Sequence, residues 1–282
     1  MNLPTPSPRR QFVNEVDQSD ERINLARAAL LIAKEEYPQL SVERHLGYLD
    51  QLTEEVRDRI ADEMAPLVIL EELLRTVYKR NGFRGNTEAF YDPRNSFLSD
   101  VLDRKKGVPL TLGIVLLEVG WRLDLPLEGV SFPGHFLVRY DGVAVRLLVD
   151  PFDSGRIWFE DQAQELLDRV YGGMVTVRPR FLKVSARREM LVRLLTQLKG
   201  IYLNVQDNDR ALATIERILV IHPTAPRQIR DKGTLLARMG RSGEALEQLQ
   251  WYLDYAPDAS DAGQIRTLVK DLRSWGSRDD VL

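Results

Sequence analysis

The chain has 282 residues, which is enough for a sizeable core and predicts two domains. Its 39 Lys and Arg residues against 42 Asp and Glu give a formal net charge of −3, and no long basic stripe is visible, so nucleic acid is not an expected partner. The absence of cysteine excludes disulfides, thiolate metal ligands and a cysteine nucleophile.

The first twelve residues, MNLPTPSPRRQF, combine prolines and arginines without an apolar core, so they do not resemble a secretory signal. No apolar run approaches the roughly 18 residues that a membrane span needs. We therefore expect a cytoplasmic protein that binds no membrane, with a disordered leader over residues 1–18.

Three helical patterns follow the leader and predict a helical layer. The first runs from Asp20, a plausible N-cap, to Glu36; the second opens after Ser41; the third runs from Pro66 to Tyr78. These segments contain no residue pattern typical of a catalytic site.

A central helix is predicted from Leu110 to Leu123, because this segment is apolar nearly all round and such a helix belongs in the middle of its domain. Gly107-Val108-Pro109 sets its N-terminus. Free backbone N–H groups and the helix dipole there favour an anion or an activated nucleophile.

A hairpin is predicted around Asp141-Gly142, taken as a two-residue type I′ turn. This register places His135 opposite Leu148, with Asp150 two residues further along the same face, a diagonal separation of roughly 7–8 Å. One interpretation is an ordinary polar pair at the mouth of a hairpin. The other is a base and its orienting carboxylate that lack only a nucleophile.

A helix over 160–170 and a short strand near 174–177 should close this domain. Beyond it, residues 192–225 superpose on 226–259, with Ala211 on Ala245 and Pro223 on Pro257. The period of 34 is typical of tetratricopeptide repeats. We predict first helices over 192–205 and 226–239 and a capping helix over 261–275.

The stretches NSFL, GVPLTL, FPGHFLVR and VDPFDSG, in that order, resemble the transglutaminase-core-related family of bacterial proteins. Members of that family often carry C-terminal tetratricopeptide repeats and are loosely described as invasion or virulence regulators. The resemblance covers roughly residues 20–270. It implies an α+β, mostly helical fold: a transglutaminase- or papain-like core, in which a central buried helix packs on a small antiparallel sheet, followed by an α-helical tetratricopeptide module.

The resemblance also assigns roles to residues. The triad histidine and aspartate of the family match His135 and Asp150, whereas the nucleophilic cysteine falls at Pro109 or Leu110, neither of which can attack a carbonyl. Thr111 is the nearest hydroxyl, and we expect it to bond a backbone carbonyl of its own helix.

Three hypotheses follow. The first is a non-catalytic transglutaminase-fold protein that acts as a protein-interaction or regulatory factor through its repeats. The second is a hydrolase or acyltransferase of protease or amidase type, in which His135 and Asp150 activate Thr111 or a water. The third, a metal site on His135, Asp150 and Asp153, uses a poor ligand set for a transition metal. We expect neither a metal nor a cofactor.

The predicted partner is a protein or peptide bound at the repeat groove. The first helices should line a concave face with Arg193, Gln197, Asn204, Arg227, Arg230 and Lys232. This set is net basic and suits an acidic peptide or a C-terminal carboxylate. Alternatively, the repeats only cap the first domain and these arginines are solvated.

The predicted boundaries are 19–185 for the first domain, 186–275 for the repeats and 276–282 for a tail.

Overall fold

The structure is a computed structural model that describes residues 6–60 and 65–279. The chain divides into two compact units, the first ending at Leu194 and the second beginning at Leu195. Within the described ranges the α-helices are α1 Pro8–Val16, α2 Leu25–Glu36, α3 Val42–Arg57, α4 Pro66–Leu74, α5 Leu98–Arg104, α6 Pro109–Arg122, α7 Ala163–Tyr171, α8 Arg187–Asn204, α9 Asn208–Ile221, α10 Pro226–Arg238, α11 Ser242–Tyr255 and α12 Ala262–Asp279.

The first unit also contains two sheets. The strands are β1 Arg84–Gly85, β2 Lys106–Gly107, β3 Leu127–Val130, β4 Leu137–Asp141, β5 Arg146–Asp150 and β6 Arg156–Phe159. β1 and β2 form a two-stranded parallel sheet, and β3-β4-β5-β6 form an antiparallel meander in chain order. The α+β, mostly helical fold is as predicted.

The central helix of the first unit is α6, whose residues from Pro109 to Gly120 are all buried. Glycines allow α6 to approach the meander closely. A Cβ on Gly113 would lie 2.5 Å from the ring of Phe136, and one on Gly120 would clash with Leu127. The helix therefore packs directly on the sheet.

The predicted hairpin register is wrong. Tyr140 pairs with Leu147 and Asp141 with Arg146, so a four-residue loop over 142–145 replaces the two-residue turn. The longer loop lets the Arg146 Nε donate to the Asp141 carboxylate at 2.5 Å and leaves Val143 fully exposed. Because the register differs by four positions, an even number, every strand residue keeps its predicted face.

The predicted disorder of the leader is wrong over α1. Ser7 caps this helix by accepting a hydrogen bond from the backbone N–H of Arg10, and Pro8 occupies its first turn. Phe12 and Val16, four residues apart on one face, are buried. Residues 1–5 of the predicted leader lie outside the described residues.

Asp20 is not the N-cap of the first predicted helix. Asn24 caps α2 by accepting from the N–H of Arg27 at 2.8 Å. The Asp20 carboxylate instead accepts from the backbone N–H groups of Arg187 at 2.8 Å and Arg188 at 3.0 Å. It thus satisfies two free donors at the start of α8, a helix 167 residues further along the chain.

Two further predicted elements differ from the structure. The third predicted helix consists of α4 followed by a π-helical turn over Arg75–Arg80. No strand forms at 174–177, where the backbone groups of Val175 and Val177 instead form hydrogen bonds with the Gln164 side chain.

The second unit has the predicted 34-residue period. Ala211 and Ala245 occupy matching buried positions in α9 and α11. A Cβ on Gly233 would lie 2.7 Å from Leu249, so α10 packs closely on α11. The last helix, α12, extends to Asp279, which makes the predicted tail wrong over 276–279; residues 280–282 lie outside the described residues.

Candidate functional site

The structure brings His135 and Asp150 together in the first unit. The imidazole Nε2 lies 2.8 Å from Asp150 Oδ1. Asp150 is the last residue of β5, His135 lies two residues before β4, and the carboxylate is almost fully buried. His135 and Asp150 remain diagonal neighbours on one face of the hairpin, as strand period predicts. The observed register differs from the predicted one by four positions, and an even difference leaves each side chain on the same face.

The hydrogen bonds of Asp150 define the tautomer of His135. Asp150 Oδ1 also accepts from the backbone N–H groups of Phe152 at 2.9 Å and Asp153 at 3.1 Å. An ionised carboxylate can only accept, so the imidazole Nε2 carries the proton that it donates to Asp150. The other ring nitrogen, Nδ1, has its lone pair available in the neutral imidazole and makes no hydrogen bond to the described residues. In this orientation the ring could accept a proton.

The loop that carries His135 is fixed by backbone and side-chain contacts. The His135 N–H donates to the carbonyl of Phe132 at 3.0 Å. Gly134 has φ +66°, and a Cβ there would also lie 2.7 Å from Val170. The Arg193 guanidinium donates to the carbonyl of His135 at 2.6 Å and, more distantly, to that of Phe132 at 3.5 Å.

The prediction that Arg193 lines the repeat groove is therefore wrong. Its described hydrogen bonds are within the first unit, to the loop that carries His135. Sequence period cannot detect this, because α8 is one continuous helix across the division between the two units. Burial lowers the pKa of Arg193. No carboxylate in the described part of the chain pairs with it, so the charge is stabilised by backbone carbonyl dipoles and by the face of Phe136, 5.9 Å away.

An aromatic wall lies beside the imidazole. The ring of Phe152 meets His135 edge to face at 6.2 Å, and Phe90 meets Phe152 in the same manner at 5.9 Å. Phe152 also fills the space in front of Gly85, where a Cβ would lie 2.6 Å from the ring.

The hydroxyl group of Thr111 forms hydrogen bonds with backbone groups. Its buried hydroxyl donates to the carbonyl of Asn95 at 2.7 Å and accepts from the N–H of Val108 at 3.2 Å. No hydrogen bond joins it to His135 among the described side chains. Pro109 and Leu110, one of which the resemblance aligns with the nucleophile of the family, are both buried in the first turn of α6.

Tyr78 belongs to the surroundings of Asp150 and was missed from the sequence. Its ring packs on Gly155, where a Cβ would lie 2.5 Å away, and its buried hydroxyl has no partner within the described residues. Burial, and secondarily the charge of Asp150, raise the pKa of Tyr78. The sequence pattern does not predict this contact, because it identifies Tyr78 only as the last residue of a predicted helix.

The third hypothesis has no geometric support in the described ranges, where no three His, Cys, Asp or Glu side chains are placed to hold a metal ion. Asp153 reaches Asp150 only through its backbone N–H, and its carboxylate lies 3.7 Å from Arg156.

The predicted groove residues of the second unit are less basic than expected. Arg230 forms ion pairs with both Asp231 and Asp261, and Lys232 lies 3.5 Å from Glu216. The predicted set contains no acid, but Asp231, Asp261 and Glu216, which lie outside it, neutralise part of its charge. Three predicted groove residues retain polar groups without a described side-chain partner: Asn204, Arg227 and the amide nitrogen of Gln197.

A cavity of about 370 Å³ lies among α8, α10 and α12 in the second unit. Its polar lining includes Arg230, Asp231 and Asp261, which neutralise one another in part. Arg238 also lines it, is exposed and has no ion pair with any described side chain.

Within the described ranges, none of the helices combines the length and the apolar character that crossing a membrane requires.

Comparison with known proteins supports both parts of the fold. A family model described as the Transglutaminase-like superfamily matches residues 43–196, and a tetratricopeptide-repeat model matches residues 198–270. No solved structure matches the chain.

Curated proteins of several bacteria are similar to this chain. A UPF0162 protein of Xylella fastidiosa is 34% identical over 90% of this chain and 91% of its own length. A UPF0162 protein of Vibrio cholerae is 29% identical over 93% of this chain and 97% of its own, and UPF0162 protein YchA of Escherichia coli is 26% identical over 79% and 83%. The extent of these matches and the superfamily model agree, and the chain belongs to the UPF0162 proteins of the transglutaminase-like superfamily.

Proposed function

We propose that this chain is a non-catalytic transglutaminase-fold protein that acts as a cytoplasmic protein-interaction or regulatory factor through its tetratricopeptide module. The observation that carries the proposal is the missing nucleophile. His135 and Asp150 are paired at 2.8 Å, but the sequence contains no cysteine, the resemblance aligns the nucleophile with Pro109 or Leu110, and the hydroxyl of Thr111 donates to a backbone carbonyl. A base without a nucleophile cannot perform covalent acyl transfer.

The binding surface in this proposal is the cavity among α8, α10 and α12, extended along α10 to the exposed Arg227, which does not line the cavity itself. One face of α10 carries four polar residues at intervals of three or four positions: Arg227, Asp231, Thr234 and Arg238. With Arg230 balanced by Asp231 and Asp261, the cations left to recognise a ligand are Arg227 and Arg238, which form no ion pair with any residue that the structure describes. Two cations about 16 Å apart along a helix suit an acidic peptide or a C-terminal carboxylate. They do not provide the many phosphate contacts that nucleic acid or an anionic membrane would require.

Turnover assays test the first half of the proposal. We expect no amide hydrolysis, ester hydrolysis or acyl transfer above background, and no difference between the wild type and His135→Ala. Turnover that disappears in His135→Ala would contradict the proposal.

Peptide binding tests the second half. The probe is a fluorescent nine-residue peptide with alternating Glu residues and a free C-terminal carboxylate, measured by fluorescence polarisation. The double substitution Arg227→Glu with Arg238→Glu should weaken binding, and Lys270→Glu, which reverses an exposed charge in the separate cleft between α11 and α12, should not. Equal binding by both variants, or none by the wild type, would contradict the assignment of the groove.

A second candidate function is a hydrolase or acyltransferase in which His135 activates a water. The geometry of the His135–Asp150 pair favours it, because the proton on Nε2 leaves Nδ1 free to accept one. Such an enzyme would form no covalent intermediate, so turnover without an initial burst, lost in both His135→Ala and Asp150→Ala, would identify it.

A further inference from the structure

A second surface of the first unit has an unusual charge pattern. Residues 170–188 contain five cations and no Asp or Glu, in a chain whose overall charge is −3. We call residues 174–184 the strap. It connects α7 to α8 and includes a 3₁₀ turn over Pro179–Leu182.

One side of the strap is packed against the protein. The side chains Val175, Val177, Phe181 and Leu182 pack on an apolar cluster of the meander and α7 that includes Leu148, Trp158 and Leu167. Gln164 of α7 fixes the backbone of the strap. Its Nε2 donates to the carbonyl of Val175 at 3.0 Å, and its Oε1 accepts from the N–H of Val177 at 2.8 Å. The strap is therefore anchored to the first unit along one side.

The other side of the strap faces solvent. Exposure alternates along residues 174–178: Met174, Thr176 and Arg178 are exposed, whereas Val175 and Val177 are partly buried. Arg180 and Lys183, in and after the turn, are exposed as well. Met174 is 85% exposed.

The charges on this side are not neutralised. No carboxylate among the described residues forms an ion pair with Arg178, Arg180 or Lys183; only the ring of Phe181, 5.4 Å from Arg180, lies near one of them. Arg187 and Arg188, just beyond the strap, differ because their guanidinium groups donate to backbone carbonyls of the N-terminal segment.

We propose that the strap is a docking surface for an acidic, extended segment of a partner protein, independent of the repeat groove. Three unpaired cations on an ordered backbone match the charge of closely spaced Asp and Glu side chains, and their exposure lets them form charge-assisted hydrogen bonds. The exposed thioether of Met174 adds an adaptable apolar contact at one end. Three cations on a protein of net charge −3 are too few for stable binding to a phosphate backbone or an anionic bilayer.

The test uses the full chain carrying Arg227→Glu and Arg238→Glu, so that the repeat groove cannot contribute. The probe is a fluorescent ten-residue peptide with alternating Glu residues and an amidated C-terminus. Adding Arg178→Gln, Arg180→Gln and Lys183→Gln should weaken binding by on the order of tenfold, since each exposed contact contributes modestly. Raising the salt to about 0.5 M should weaken binding to the unmodified strap.

A matched control replaces three exposed cations elsewhere, Arg59→Gln, Arg94→Gln and Lys270→Gln, which removes the same charge and should leave peptide binding unchanged. Circular dichroism should show the same fold and melting temperature for the strap variant, because its side chains carry no ion pair to a described residue. Peptide binding that is absent, or that falls equally in the control, overturns the proposal. So does strap-dependent binding to single-stranded RNA or to phosphatidylglycerol vesicles that exceeds binding to the peptide.

Discussion

The Arg193 guanidinium donates a 2.6 Å hydrogen bond to the backbone carbonyl of His135, the residue whose imidazole is bonded to Asp150. The geometry of the candidate site thus depends on a cation that lies 58 residues further along the chain, in α8. Since Arg193 has no carboxylate partner among the described residues, its described polar contacts are the carbonyls of this loop.

Arg193→Ala should lower the free energy of unfolding by about 1–3 kcal/mol, because it leaves a partly buried carbonyl without its donor. Arg193→Lys should recover only part of this loss, since an ammonium cannot reproduce the planar fork of the guanidinium. Urea denaturation measures both variants, with Arg178→Ala as the exposed control. A loss below about 0.5 kcal/mol for Arg193→Ala, within the range of surface substitutions, would show that Arg193 does not hold the loop.

The hydrogen bond between His135 and Asp150 predicts the tautomer of the neutral imidazole. We expect the proton on Nε2 in the wild type, and in Asp150→Ala we expect a mixture of the two tautomers because the acceptor is gone. Two-dimensional ¹⁵N NMR of the ring nitrogens distinguishes these states. The resonances of His45 and His222 serve as internal controls that the variant remains folded. A mixed tautomer in the wild type would remove the physical basis for a base and its orienting carboxylate.

Periodicity in the sequence predicted the elements that depend on neighbouring residues. The apolar run of α6, the 34-residue repeat and the shared face of His135 and Asp150 follow from helix and strand geometry alone. The hairpin register was wrong because a two-residue turn and a four-residue loop produce the same faces, and the choice between them depends on the pairing of Asp141 with Arg146.

Contacts between residues distant in sequence account for the other differences. The capping of α8 by Asp20 and the burial of Tyr78 beside Gly155 depend on how separate segments pack, which no local pattern records. Arg193 was assigned to the repeat groove for the same reason, because helical period identifies the face of a residue on its helix and not the neighbour that the face contacts.

The contact between Asp20 and α8 should be measurable in stability. Asp20→Ala leaves the N–H groups of Arg187 and Arg188 without their acceptor and removes a negative charge from the helix N-terminus, so we expect a loss of about 0.5–2 kcal/mol. Asp20→Asn keeps one acceptor oxygen and should lose less. Asp17→Ala, an exposed carboxylate nearby, is the control. Equal stabilities for the Asp17 and Asp20 variants would show that the cap contributes nothing.

Lys105 should make stability depend on pH. Burial lowers its pKa from 10.5 to about 8, although the rings of Tyr48 and Phe83, with centroids 3.7 Å and 4.6 Å from Nζ, attract the ammonium. Between pH 8 and 10.5 the unfolded chain binds a proton that the folded chain does not, so the free energy of unfolding rises with pH across this window. The stabilisation is fully present above pH 10.5 and is lost as the pH falls through about 8.

The measurement is urea denaturation from pH 7 to pH 10.5 of the wild type, Lys105→Met and Lys105→Arg. The stability of the wild type relative to Lys105→Met should increase with pH, because only the wild type sheds a destabilising charge. Arginine stays protonated throughout this range, so the difference between Lys105→Arg and Lys105→Met should not change with pH. A flat difference between the wild type and Lys105→Met would mean that the aromatic faces offset the cost of burying the ammonium and that Lys105 remains charged in the folded protein.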